Sequence, residues 1–136
     1  MRSESFEFLK TLVESPSPSG YEQPAARVFR DYVGQFADEV ETNVMGSVHA
    51  LLRGTGGGPS VMLAGHIDEI GFMVNYITDE GFVAFSDIGG HDPQILPGAR
   101  VHVHTTDGPL LGVLGRLPIH LLDEEERKQV VKSHKM

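Results

Sequence analysis

An α/β fold in two modules is the expectation for this chain, and three features of the pattern carry it. Two amphipathic helical stretches lie before residue 40, a series of short strand-like runs follows, and near residue 70 the mixture of helix and strand gives way to short strands and Gly/Pro turns alone. The first part suits one side of an α/β sheet. The second suits a small barrel or sandwich.

Residues 4–14 carry Phe6, Leu9, Leu12 and Val13 at helical spacing, and "SPSPSG" at 15–20 ends that helix. Ser19 followed by Glu22 fits a capping box, after which Ala25, Val28, Phe29, Tyr32, Val33 and Phe36 repeat with the 3.6 period, predicting a helix over 20–36. The period then changes. "DEVETN", "SVHALLRG", "SVMLAGH", "IGFMVNYI", "GFVAFSD", "ARVHVHTT" and "LLGVLG" read as strands separated by turns. "GTGGGP" at 54–59 lacks the Lys and Ser/Thr that grip phosphate and sits between two strand-like runs, so it reads as a turn. "DEEERKQVVK" at 123–132 reads as a helix, with Asp123 as cap and acidic residues preceding basic ones as the helix dipole favours.

Composition narrows the function. The chain has 136 residues, enough for one ordinary domain or one and part of another, with 40% hydrophobic residues. Eleven basic against 19 acidic residues leave a formal charge of −8, which argues against nucleic-acid binding because phosphate contacts need clustered Lys and Arg. Without cysteine, disulfides and thiolate metal sites are excluded, and any metal must be held by imidazole and carboxylate. The opening "MRSESFEFLK" places charges where a signal peptide is apolar, and no run reaches the length of a membrane span. A soluble, cytoplasmic protein with no membrane partner is therefore expected.

The chemistry concentrates in "SVMLAGHIDEIGFMV", residues 60–74. An apolar run that reads as a buried strand ends in His66, Asp68 and Glu69, groups that need partners if buried. With the backbone extended, His66 and Asp68 point to the same side, so the carboxylate can take one ring nitrogen and leave the other for a metal. The competing reading is a core histidine satisfied by a backbone carbonyl, and HxD spacing alone leaves both open. Glu69 follows at once and invites a general-base role, but in an extended strand its side chain points away from that of Asp68. Ser17 and Ser19 have no base in reach by sequence and read as turn and cap residues.

"GHIDEIGFMV", "GFVAFSDIGGHDPQILPGARV" and "GPLLGVLGRLPIHLLDEEERK", preceded by "SPSGYE", make the chain similar to the amino-terminal part of the dinuclear-metal aminopeptidases of the glutamyl, deblocking and tetrahedral (TET) type, a family sometimes called endoglucanases. The resemblance runs over essentially the whole chain. It implies an α/β/α zinc-peptidase catalytic domain interrupted by a small β-barrel domain. Residues 1–69 would form the first part of the catalytic domain, 70–119 the inserted barrel, and 120–136 the start of a truncated return to the catalytic domain. It also implies His66 as terminal ligand of one ion in a zinc or cobalt pair, Asp68 as its orienting catalytic carboxylate, a peptide substrate cut at its amino terminus, and a homo-oligomer. The family's bridging aspartate, paired glutamates, second aspartate and last histidine lie beyond the segment resembling "DEEERK". An incomplete chain, inactive alone, is therefore expected; the alternative is a non-catalytic oligomerisation or interaction module derived from such a peptidase.

Some residues stand apart from this resemblance. Asn43 and the Gly46–Ser47 pair replace an aspartate and a Gly-Asn pair common in the family, which puts any polar contact there in doubt. His102 and His104 alternate with Val101 and Val103, so the valines should face inward and the histidines outward, a shared metal being the other reading. The roles of His91 and His120 are left unassigned.

Overall fold

The computed structural model describes residues 1–129. It is a mixed α/β chain that divides into two compact units, Met1–Glu69 and a second beginning at Ile70.

The first unit opens with helix α1 (Ser3–Glu14), stopped by Ser15 in extended conformation where the Pro-rich loop begins. Its inward line is not the one expected. Phe6, Leu9 and Val13 are exposed, and Phe8 and Leu12 are half-buried. Phe8 stacks on Tyr32 of α2 with ring centroids 3.8 Å apart. Helix α2 (Gln23–Val33) is shorter than predicted and is preceded by Glu22, not Ser19, as its cap residue, with no side-chain capping bond. Pro24 in the first turn explains the start, because its fixed φ suits a helix N-terminus and its missing N–H costs nothing there. Ala25, Ala26 and Val33 are the buried side of this helix.

Strands β1 (Glu39–Thr42) and β2 (Val48–Leu51) form an antiparallel ribbon. Its turn is built by Asn43, whose Oδ1 accepts the N–H groups of Met45 and Ser47 at 2.9 and 3.0 Å. Gly46, at φ +88°, supplies the left-handed residue that the turn requires. The Asn43 and Gly46–Ser47 departures thus form a self-contained turn. Residues 55–58 are a bend with Gly56 and Gly57 at positive φ, in keeping with the turn reading of "GTGGGP".

The run 60–66 departs most from expectation. It forms no strand, and Val61, Met62 and Leu63 are 80, 87 and 94% exposed rather than buried. A strand needs a ladder partner as well as β-propensity. Among the described residues the only such pairing comes at the end of the segment, in an isolated parallel bridge between Pro18 and Glu69.

The second unit holds two further antiparallel ribbons. Strands β3 (Gly71–Ile77) and β4 (Val83–Ile88) pair with a register shift between Val74 and Tyr76 and turn through Thr78–Phe82, with Gly81 at φ +88°. Strands β5 (Arg100–Thr105) and β6 (Gly108–Val113) pair across the two-residue turn Thr106–Asp107. Val101 and Val103 are half-buried while His102 and His104 are exposed, as their alternation suggests. Leu96 and Leu114 are the buried apolar residues of this unit among those described. A single 3₁₀ turn (Ile119–Leu121), which carries the exposed His120, and a short helix α3 (Glu124–Lys128) follow. The remainder of the expected helix, 130–132, lies outside the described residues.

The expected barrel therefore differs from what is observed. Among the described residues the sheets are three separate two-stranded antiparallel ribbons with no closed barrel. Closure needs every strand paired on both sides, and each of these strands is paired on one. No helix among the described residues is long and apolar enough to cross a membrane.

Candidate functional site

The first unit brings the Pro-Ser loop after α1 against the HxDE segment. The Glu69 N–H donates to the Ser17 carbonyl at 2.8 Å, and the Ser19 N–H donates to the Glu69 carbonyl at 3.2 Å. The Glu69 carboxylate then accepts the Ser17 N–H at 3.0 Å. Pro18, between the two serines, has no N–H to satisfy, so the loop can present its other donors to Glu69 without loss. Ser17 is 5% exposed, the one buried polar residue among those described. Leu12, Val13, Ser17 and residues 66–69 line an open depression at this junction.

At its rim the His66 ring and the Asp68 carboxylate meet. His66 Nδ1 lies 3.0 Å from Asp68 Oδ1 and 3.1 Å from the Asp68 carbonyl oxygen. Both neighbours are acceptors, so Nδ1 carries a proton, and in the neutral ring the lone pair lies on Nε2. The His66 side chain is 85% exposed and that of Asp68 41%, which rules out the core-histidine reading. The other carboxylate oxygen, Oδ2, accepts the Ser19 hydroxyl at 2.7 Å. That bond holds the Asp68 carboxyl below the ordinary aspartate range. Partial desolvation opposes the shift, while the hydrogen bond and charge of His66 and the backbone N–H of Asp68 add to it.

This donor set fits part of a metal site. A neutral imidazole with its Nδ1 proton held by a carboxylate and Nε2 open to solvent is the form in which histidine ligates a divalent cation. It would supply one ligand and its orienter. No group of three or more His, Asp or Glu side chains placed to hold an ion occurs among the described residues.

The other sequence candidates have other partners. The Glu69 carboxylate is engaged as the acceptor of the Ser17 N–H. In the second unit His91 stacks on Phe72 at 4.4 Å and its Nε2 donates to the Gly71 carbonyl at 2.9 Å, which ties the "IGGHDPQ" loop to the start of β3. Sequence reasoning missed Ser19 as the partner of Asp68, because hydrogen bonds 49 and 52 residues apart leave no periodic signal. The available hint was that "SPSGYE" and "GHIDE" both belong to the same resemblance.

Residues 46–136 match the family model for M42 glutamyl aminopeptidases. The chain is 39% identical over 120 residues to a lysyl aminopeptidase of Pyrococcus furiosus, covering 88% of this chain and 34% of that protein. Among solved structures it is similar to the TET aminopeptidase of a marine-sediment Thaumarchaeota archaeon, with TM-score 0.91 and 38% identity over 98% of this chain and 37% of that one. It is also similar to the TET1 peptidase of Pyrococcus horikoshii, which can assemble into a tetrahedron or a large octahedral shell, with TM-score 0.78 and 33% identity over 95% of this chain and 38% of that one. The match over most of the chain settles the family. The chain belongs to the M42 glutamyl aminopeptidase family. It spans about a third of the length of these relatives.

Proposed function

We propose that this chain supplies the HxD part of a metal-dependent aminopeptidase site, one that hydrolyses amino-terminal residues from peptides with two divalent ions, zinc or cobalt. His66 is the terminal ligand of one ion through Nε2, and Asp68 is its orienting carboxylate. The observation that carries this reading is the 3.0 Å contact between His66 Nδ1 and Asp68 Oδ1 on a ring otherwise open to solvent. When bound, such an ion polarises the scissile carbonyl and lowers the pKa of water. The chain's own residues hold a proton on Nδ1 and turn the Nε2 lone pair outward.

A catalytic zinc commonly has about three protein ligands, and a two-metal clamp needs more. The 136-residue polypeptide by itself is therefore proposed to be inactive, with the other ligands supplied by sequence outside it. Calorimetric titration with zinc is the test. A weak site in the wild-type chain that disappears in His66→Ala supports the reading, whereas identical heats in both overturn it. Zinc-dependent hydrolysis of an aminoacyl p-nitroanilide by the purified chain would overturn its inactivity alone.

Association is the second reading that a specific observation favours. The exposed run Val61–Leu63 and the exposed Leu110, Leu111 and Val113 of β6 leave apolar side chains in water, and every ribbon has unpaired edges among the described residues. We therefore propose a homo-oligomer, checked by light scattering of the purified chain. A monodisperse monomer at micromolar concentration would exclude it.

A further inference from the structure

The Asp68 carboxylate is held at both oxygens, Oδ1 by His66 Nδ1 at 3.0 Å and Oδ2 by the Ser19 hydroxyl at 2.7 Å. The second bond is the unexpected one. With side chains 85 and 41% exposed, His66 and Asp68 have few packing walls to select a rotamer. An exposed pair of this kind, left to itself, samples several staggered states, because its attraction in water is comparable to the entropy of holding both side chains.

Ser19 differs from both in being anchored. Its N–H donates to the Glu69 carbonyl, and two residues earlier the buried Ser17 exchanges bonds with Glu69 through its carbonyl and its N–H. The loop is thus bonded to the residue next to Asp68, and the serine hydroxyl reaches the carboxylate from a fixed backbone. The hydroxyl is not needed for capping. Glu22 is the cap residue of α2, and the Glu22 carboxylate accepts the Gly20 N–H at 2.6 Å.

We propose that Ser19 is a positioning residue, whose hydroxyl locks the Asp68 carboxylate in the rotamer that receives His66 Nδ1–H and so turns Nε2 outward to a divalent cation. The inference rests on the reading of His66 as a ligand, but the lock itself exists without metal and is measured without it. The Asp68 carbonyl, also within reach of Nδ1, restrains the ring less selectively because it belongs to the same short segment. Only the carboxylate bond ties the ring to the loop after α1.

The test compares Ser19→Thr with Ser19→Val, side chains of the same shape that differ in the hydroxyl, in the isotopically labelled, metal-free 136-residue chain. At a pH above the imidazole titration, three-bond couplings report the Asp68 χ1 rotamer and ring nitrogen shifts report the His66 tautomer. The wild type and Ser19→Thr are expected to show a single rotamer with Nδ1–H. Ser19→Val is expected to show averaged couplings and ring nitrogen shifts that move toward each other. An averaged wild type, or a Ser19→Val chain that keeps the single rotamer and tautomer, overturns the proposal. So does a Ser19→Val chain that does not fold while Ser19→Thr does, because the hydroxyl would then hold the loop and not the carboxylate. Zinc calorimetry separates the lock from the reading beneath it, with affinity expected to fall about 10- to 100-fold in Ser19→Val. If the couplings respond as expected and the wild type binds no zinc through His66, the lock stands and the ligand reading falls. If zinc binds through His66 and the couplings do not respond, the lock falls alone.

Discussion

Ser17 and Glu69 are bonded to each other twice, by the Glu69 N–H to the Ser17 carbonyl at 2.8 Å and by the Ser17 N–H to the Glu69 carboxylate at 3.0 Å. A residue that by position alone invites a general-base role is thus committed to holding a loop at its buried Ser17. Glu69→Ala leaves the Ser17 N–H without its acceptor, at a cost of about 1–3 kcal/mol. Glu69→Gln keeps an acceptor oxygen and should lose less than half as much. Urea denaturation of the three chains measures both, and equal losses would show that charge, not the hydrogen bond, matters there.

Acid should act on the Ser19–Asp68 contact in a defined direction. The Ser19 hydroxyl, with His66 adding, favours the charged carboxylate, so the folded pKa of Asp68 lies below its unfolded value. The stability this group contributes is complete above the ordinary aspartate range and is lost as pH falls through the folded pKa. Ser19→Ala raises that midpoint, which moves the loss to higher pH. Carbon NMR titration of the Asp68 carboxyl reads the midpoint directly, and an unchanged value in Ser19→Ala would contradict the assignment.

The packing of α1 predicts an order of substitutions opposite to the one its spacing suggests. Phe8, stacked on Tyr32 at 3.8 Å, carries the contact, while Phe6 is exposed. Phe8→Ala should cost about 1–3 kcal/mol, less than the roughly 3–5 of a fully buried phenylalanine. Phe6→Ala should fall within about 0.5 kcal/mol of wild type. Thermal melts of the two variants decide the order.

Gly89 is the glycine with the least room. At φ +79°, an added Cβ would lie 2.7 Å from Ile70 Cγ2 and 3.4 Å from Ile70 Cβ. Both backbone strain and overlap oppose a side chain, so Gly89→Ala should destabilise by about 1–3 kcal/mol. Gly58→Ala meets nothing within 4 Å and should be near neutral by the same denaturation measurement.

Much of this molecule could be read from its residues in order. The helical period after the Pro-Ser loop marks α2, the strand-like runs after residue 70 mark β3 to β6, and HxD spacing brings His66 and Asp68 to one another. What failed did so where a residue's state depends on distant partners. The apolar run 60–66 has the composition of a buried strand, yet composition cannot supply the ladder that makes one, and Val61, Met62 and Leu63 stand in water. Spacing in α1 could not tell Phe6 from Phe8, because the choice of face was made by Tyr32.

The sequence by itself determined the local chemistry, an imidazole two residues from a carboxylate, because both stand in one short segment where their side chains are within reach of each other. Only the tertiary structure decided that Asp68 is gripped by Ser19 and that Glu69 is engaged by Ser17. Those bonds join segments about fifty residues apart, and which donor meets which acceptor across such a distance is set by how the chain packs, not by any local preference.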